Sequence, residues 1–342
     1  MLTEPLALVN ERARYALGLL VKKFSWYNAP MIPLVLVVLV IAVSAYSVHA
    51  VFKYTRMISN IFLSLVYNPT SFKFSSCLAG EKITILDSSD KEIEALFVEN
   101  KGSKKIVIFC HESGATKDSW AHYISFLKDL GFHVLSVDFG EKTIAPDANA
   151  LSQWPKRADV QRLLTVIRWS KKAVCAHVQI VLFGVSNGAD IAFAASFEDA
   201  AVKAVVADGL FSMKEIFRDY IRKWAPILVR PNLFGQNYPF WIVNTFANLG
   251  FWYCQRKTKR KFVEVEGLLK RKHVPLLMIH GQNDDYVPDS HQRFLEKMNA
   301  DKNRLRRLVV ANAKHNQAVM LESELYQKNV IDFVAGLTEE KN

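Results

Sequence analysis

The stretch best suited to chemistry is Ile180-Val-Leu-Phe-Gly-Val-Ser-Asn-Gly-Ala-Asp190. An apolar, β-branched run from Val178 to Phe183 leads into Gly184-Val185-Ser186-Asn187-Gly188, and a small-residue helical segment, Ala189 to Phe197, follows. A serine hydroxyl is a weak nucleophile until it is held on a sharp turn beside a base. Gly-x-Ser-x-Gly between a buried strand and a helix supplies that turn. Its glycines let strand and helix backbones approach where a side chain would clash. The chemistry expected of Ser186 is attack on an acyl carbon, on condition that an acid and a histidine follow.

Two later loops meet that condition. His280-Gly-Gln-Asn-Asp-Asp-Tyr-Val-Pro288 closes an apolar run and carries Asp284 and Asp285. Ala311-Asn-Ala-Lys-His-Asn-Gln317 holds a lone histidine, His315, in a polar loop before the last helix. His315 would take the serine proton and pass it to the leaving group, while a carboxylate fixes the imidazole tautomer and stabilises the imidazolium. Asp284 is the first choice for that carboxylate. Asp285 beside it and Asp208, after an earlier strand, are alternatives that could equally be surface or helix-capping groups. The developing oxyanion needs donors: the backbone N–H of Asn187 is one, and a second should come from His111-Glu112-Ser113-Gly114.

These loops need a scaffold, and the chain from about residue 80 has one. Strand-like segments fall at 82–86, 92–98, 105–110, 133–138, 178–183, 203–207, 274–280 and 307–311. The later ones are continuous apolar runs, as expected of strands buried on both faces. Trp120, Tyr123, Ile124, Leu127 and Leu130, and then Val160, Leu163, Leu164 and Ile167, repeat at helical spacing and read as core, not cofactor contacts. A hairpin-like opening pair followed by βαβ units predicts one doubly wound α/β domain over 80–340. Ser186, Asp284 and His315 each follow a strand, at the sheet edge where such folds place their sites.

Residues 211–272 interrupt the rhythm with a cap-like insertion. It is rich in aromatics, among them Trp224, Phe240, Trp241, Phe251 and Trp252. A basic cluster follows: Arg256, Lys257, Lys259, Arg260, Lys261 and Lys270 to Lys272. One reading is a helical cap packed on the domain with a solvated charged face; the other is an interfacial surface with rings in lipid and cations over anionic headgroups.

The N-terminal part has a different composition. No charge occurs from Phe24 to Phe52, and Leu34 to Phe52 is a nineteen-residue apolar run, close to the roughly 20 residues a bilayer core requires. We expect a tail over 1–30, a single-pass transmembrane anchor over 31–52 and a partly helical connector over 53–79. Val48-His49-Ala50 loosely resembles a signal-peptide cleavage site, but the long segment before the apolar core favours an uncleaved anchor. Arg12, Arg14, Lys22 and Lys23 precede the span and Lys53 and Arg56 follow it. That balance places the N-terminus in the cytoplasm and the large domain opposite.

Taken together, the loop at His111, the elbow at Ser186, His280-Gly-x-x-Asp284-x-x-Val-Pro288 and the His315 loop resemble an α/β-hydrolase. The layout is similar to membrane-anchored serine hydrolases with an N-terminal signal-anchor helix. The resemblance implies a mostly parallel eight-stranded sheet flanked by helices, a Ser186–His315–Asp284 triad, and the backbone of Ser113 as the second oxyanion donor. It implies hydrolysis of an ester or thioester, occasionally an amide, with an acyl-ester or lipid-like substrate and no cofactor. Two positions depart from the pattern: Glu112 replaces the glycine of His-Gly-x, and Asp138-Phe139-Gly140 lacks the usual arginine. A peptidase of the same fold and a catalytically silent, membrane-tethered binding module are the competing readings. The net charge of +11 is spread along the chain, with no zinc-finger or RNA-binding signature, so nucleic acid is not expected as a partner. No zinc-protease motif, phosphate-binding glycine loop or dinucleotide fingerprint occurs. The four separated cysteines leave the redox compartment open.

Overall fold

Along the central strands apolar side chains alternate between two faces, and that alternation organises the domain. In β3 (Lys105–Cys110), Ile106, Ile108 and Cys110 enter one core while Val107 and Phe109 enter another. A period of two with both faces apolar demands cover on both sides. The computed structural model describes residues 14–15, 18–19, 31–64, 80–139, 153–232 and 234–339. The tail over 1–30, apart from 14–15 and 18–19, and the connector from 65 to 79, with Cys77, lie outside the described residues, as does Gly140. Backbone contacts divide the chain into two units, Met1–Arg56 and Met57–Asn342.

Helix α1 runs over Met31–Ser64. At 1.5 Å per residue it is about 51 Å long, more than the roughly 30 Å of a hydrocarbon core. Within the first unit its apolar side chains from Leu34 to Phe52 are exposed. It is long and apolar enough to cross a membrane. Ser47, inside the run, returns its hydroxyl to Val43 O at 2.8 Å, the usual way a hydroxyl is satisfied in an apolar helix. The helix runs on past the charges Lys53 and Arg56 into the segment that the sequence assigned to a partly helical connector.

In the second unit the elements follow in order. β1 (Glu81–Leu86) and β2 (Glu92–Val98) precede β3, and short helices α2 (Trp120–Ile124) and α3 (Phe126–Asp129) lead to β4 (His133–Val137). Then come α4 (Arg157–Ala173), β5 (Gln179–Val185), α5 (Asn187–Ala195) and β6 (Val202–Asp208). The insertion holds α6 (Met213–Leu228), α7 (Phe240–Thr258) and α8 (Val265–Leu269). β7 (Leu276–Gly281), α9 (Asp289–Met298), β8 (Leu305–Val310), α10 (Ala318–Leu321) and α11 (Ser323–Glu339) complete it. The eight strands form one sheet in the order β1-β2-β4-β3-β5-β6-β7-β8. β1–β2 and β2–β4 are antiparallel, and every other pair is parallel. The eight-stranded, mostly parallel α/β fold expected from the sequence is the fold found.

One face is covered by α4, α5, α8 and α9, through Val160, Leu163, Ile191, Leu269 and Leu295. The other is covered by α2, α3, α10 and α11, through Tyr123, Leu127, Val319, Tyr326 and Val330. A third core belongs to the insertion, and residues 57–64 of α1 join it. Phe62 is 1% exposed and stacks on Trp154 and Phe217, with centroids 4.5 and 3.8 Å away. The folded domain therefore takes in chain that the sequence assigned to the connector. The insertion's aromatics divide between the two readings: Phe251 is buried, whereas Phe240, Trp241 and Trp252 are exposed.

Candidate active site

β5 ends at Val185 and α5 begins at Asn187, so Ser186 alone makes the turn. Its backbone has φ 54° and ψ −120°, a conformation that costs a non-glycine residue about 1–3 kcal/mol and persists only where surroundings enforce it. Part of the enforcement is the 2.7 Å bond from Ser186 N–H to Asp208 O. The rest is close packing of α5 on β3. A Cβ added at Gly188 would stand 2.2 Å from Cys110 O and 2.6 Å from His111 O. Only glycine permits that approach.

The acid and the histidine come from two loops joined backbone to backbone. Gln282 N–H and Asn283 N–H donate to Val310 O and Ala313 O, both at 2.9 Å. A Cβ at Gly281 would meet Ala313 O at 2.2 Å, which gives the glycine of His280-Gly281 a structural purpose. Asp284 Oδ1 accepts Tyr286 N–H at 2.8 Å and Val287 N–H at 2.7 Å, leaving Oδ2 for His315.

The result is one continuous hydrogen-bonded line. His315 Nδ1 lies 2.6 Å from Asp284 Oδ2, and His315 Nε2 lies 2.9 Å from Ser186 Oγ. All three side chains are buried. An acceptor carboxylate at Nδ1 places the imidazole proton there and leaves Nε2 bare, facing the serine hydroxyl. That arrangement can take up the serine proton. Asp285 is exposed. Asp208 receives Tyr326 Oη–H at 3.0 Å, and burial pushes its carboxyl up to about 7.

The loop after β3 sits against the first turn of α5, which brings the Ser113 and Asn187 segments into one neighbourhood. Asn187 is buried and Ser113 half-buried. Glu112 is not among the residues with positive φ; Gly114, at φ 84°, takes the unusual backbone instead. The loop thus needs no glycine at 112. The Glu112 side chain is buried, accepts Tyr123 Oη–H at 3.2 Å, and has its carboxyl pushed up by burial. His111 Nδ1 bonds Glu112 O at 2.7 Å, and its Nε2 accepts Phe139 N–H at 3.3 Å. In the loop that lacks the usual arginine, Asp138 accepts the backbone N–H and the ammonium of Lys117, at 2.5 and 2.7 Å.

Sequence reading did not single out Tyr286, whose ring stands edge-on to His315 with centroids 5.0 Å apart. It also missed Tyr123 and Tyr326, which supply hydroxyls to the carboxyls behind the histidine. Tyr123 was visible only as part of a helical apolar stripe. Among the described residues no three His, Cys, Asp or Glu side chains are placed to hold a metal ion. Cys110, Cys175 and Cys254 are free thiols.

The sheet order, the strained turn after β5 and the loops after β7 and β8 define the α/β-hydrolase fold. Solved structures of that fold resemble the chain. The Pyrococcus furiosus esterase Pf2001 superposes with a TM-score of 0.57 at 20% identity, covering 80% of this chain and 98% of the esterase. The α/β hydrolase GrgF from Penicillium sp. sh18 gives 0.53 at 15% identity, over 76% of this chain and 99% of its own. Among curated proteins, the uncharacterized protein YfhR of Escherichia coli K12 is 22% identical over 245 residues, 69% of this chain and 73% of YfhR. No family model matches the chain.

Proposed function

We propose that the protein is a membrane-anchored serine hydrolase that cleaves an ester or thioester. The observation that carries this reading is the line Ser186 Oγ–His315 Nε2–His315 Nδ1–Asp284 Oδ2, at 2.9 and 2.6 Å, ending on a serine in the strained turn. Similarity to the esterase Pf2001 supports an ester-type substrate.

In this reading Ser186 Oγ attacks the acyl carbon while its proton passes to His315 Nε2. The carbonyl oxygen becomes an oxyanion, received by the backbone N–H groups of Asn187 and Ser113. Collapse of the tetrahedral species expels the alcohol or thiol, which takes the proton from His315 and leaves an acyl-serine. Water then enters, gives its proton to the same nitrogen, and the acid is released with Ser186 restored. Asp284 holds the imidazole and balances its charge at each protonation. Helix α1 is the anchor, with the N-terminus in the cytoplasm and the hydrolase domain, residues 80–340 with the adjoining 57–64, on the opposite side.

The test is fluorophosphonate labelling of membrane fractions carrying wild type, Ser186→Ala and His315→Ala. Labelling should vanish in the first variant and fall by more than about a hundredfold in the second. Folded wild-type protein that never labels would overturn the assignment and favour the non-catalytic binding module.

A further inference from the structure

A groove of about 640 Å³ lies between the β1–β2 turn, the N-terminal half of α4 and the chain leaving α7. Eight lysines and arginines line it against two aspartates, Asp87 and Asp159. Both acids are already engaged. Asp87 Oδ1 accepts the backbone N–H groups of Lys91 and Ser89 at 3.0 and 2.7 Å, and those donors hold its carboxyl below the usual range. Asp159 is buried, 3.9 Å from Lys156 Nζ. Lys91, Arg157, Lys259 and Lys261 have no ion-pair partner among the described residues.

Backbone pairing brings these cations together. Arg157 N–H donates to Lys261 O and Val263 N–H to Pro155 O, both at 2.9 Å, around an antiparallel bridge between Lys156 and Phe262. Lys259 turns the chain in the left-handed region at φ 54°. The basic run after α7 is thereby fastened to the start of α4, whose dipole adds positive potential at the same end. A solvated basic face spreads its charges apart, whereas these line one groove, and charges closer than the Debye length of roughly 8 Å at physiological ionic strength are little screened from one another. Within that distance they repel one another and attract an anion jointly.

We propose that this groove binds a compact polyanion carrying two or more phosphate-type groups, at a site separate from Ser186. Cations arriving from three sides favour several anionic groups over one, and the guanidinium groups suit phosphate oxygens in paired hydrogen bonds. The phosphates could belong to a soluble molecule or to a phosphorylated lipid headgroup, and the experiment separates the two.

Full-length protein in nonionic detergent is titrated calorimetrically with sodium tripolyphosphate, orthophosphate and sulfate. A second arm uses the same micelles doped with a bisphosphorylated phosphoinositide. The soluble form of the proposal predicts saturable tripolyphosphate binding, about tenfold or more tighter than orthophosphate, and weakened at least about tenfold in Arg157→Ser/Lys261→Ser. Binding confined to the doped micelles, with the same dependence on Arg157 and Lys261, identifies a headgroup as the source. Binding unchanged in the double variant, or no saturation in either arm, overturns the proposal. Both side chains are exposed, so the variant should keep the wild-type unfolding midpoint in the absence of ligand. If it does not, Lys91→Ser on the exposed β1–β2 turn carries the test, with an expected loss of about threefold.

Discussion

Replacing Asp284 with asparagine separates the role of this carboxyl from its place in the fold. The asparagine would keep an oxygen for Tyr286 N–H and Val287 N–H, the two bonds that shape the loop at 2.8 and 2.7 Å. The change falls on the other atom. An amide NH2 would replace Oδ2, which now stands 2.6 Å from His315 Nδ1, and two N–H donors cannot share that distance. The imidazole must then move its proton to Nε2, where it would face Ser186 Oγ as a donor and could not accept the serine proton. Loss of the working tautomer by this route costs a Ser-His-Asp site about 10⁴ in rate, or about 5.4 kcal/mol of barrier at 1.36 kcal/mol per tenfold. The assay is the second-order rate of fluorophosphonate labelling, together with turnover of a p-nitrophenyl ester, in variants with the wild-type unfolding midpoint. Asp208→Asn in parallel should stay within about tenfold of wild type, because Tyr326 already occupies that carboxyl. The reasoning is refuted if Asp284→Asn stays within tenfold while Asp208→Asn falls by orders of magnitude. Asp208 would then be the acid.

Two further outcomes follow from packing and from burial. Gly188→Ala drives a methyl to 2.2 Å from Cys110 O, with backbone on both sides of the clash, and should destabilise the domain by more than about 3 kcal/mol. A variant with unchanged unfolding midpoint and full labelling would show that α5 does not pack on β3 as described. Asp208 should shape stability against pH in the direction opposite to an ordinary paired carboxylate. Burial raises its pKa to about 7 from the ordinary 3.8, so between roughly pH 4 and 7 the native state retains a proton that the unfolded chain has released. Its contribution is fully present below about pH 4 and is lost as pH rises towards 7, at up to about 1.4 kcal/mol per pH unit. Asp208→Asn should flatten that limb in unfolding midpoints measured at pH 5 and pH 7, and parallel curves for the two proteins would contradict the shift.

The sheet was legible because its central strands are buried on both faces. Ile106 to Cys110 and Ile180 to Val185 can be apolar throughout only if helices cover both sides. The candidate site was legible in outline because Ser186, Asp284 and His315, which the structure brings together, each follow such a run. The choice between adjacent aspartates was not: Asp284 and Asp285 differ in a turn in which one carboxyl faces inward and the other is exposed. Nor was the tolerance for Glu112, which depends on Gly114 taking the positive φ. The end of α1 was obscured by its own charges. Lys53 and Arg56 are the residues expected where an apolar span leaves the membrane, but a helix does not end because its environment changes. Ile58 and Phe62, four residues apart on one side of that helix, carried the signal that it continues into the insertion's core.

Three carboxyls, Asp284, Asp208 and Glu112, lie in the surroundings of one imidazole, and their hydrogen bonds divide the work among them. Asp284 receives three N–H donors, from His315, Tyr286 and Val287. Asp208 and Glu112 each receive one phenol hydroxyl, from Tyr326 and Tyr123, and burial pushes both carboxyls up. Mutual repulsion raises Asp208 further, since Glu112 and Asp284 both act on it. Each donor favours the charged form of the carboxyl it meets, and burial opposes it. The tyrosines thus do more than fill the core: their hydroxyls satisfy two buried carboxyls and offset part of the upward push that burial exerts on them. A glycine at 112 would remove one of those acids together with the acceptor of the Tyr123 hydroxyl. The departure at 112 is therefore coupled to Tyr123 on α2, and substituting either residue alone leaves a buried polar group of the other without its partner.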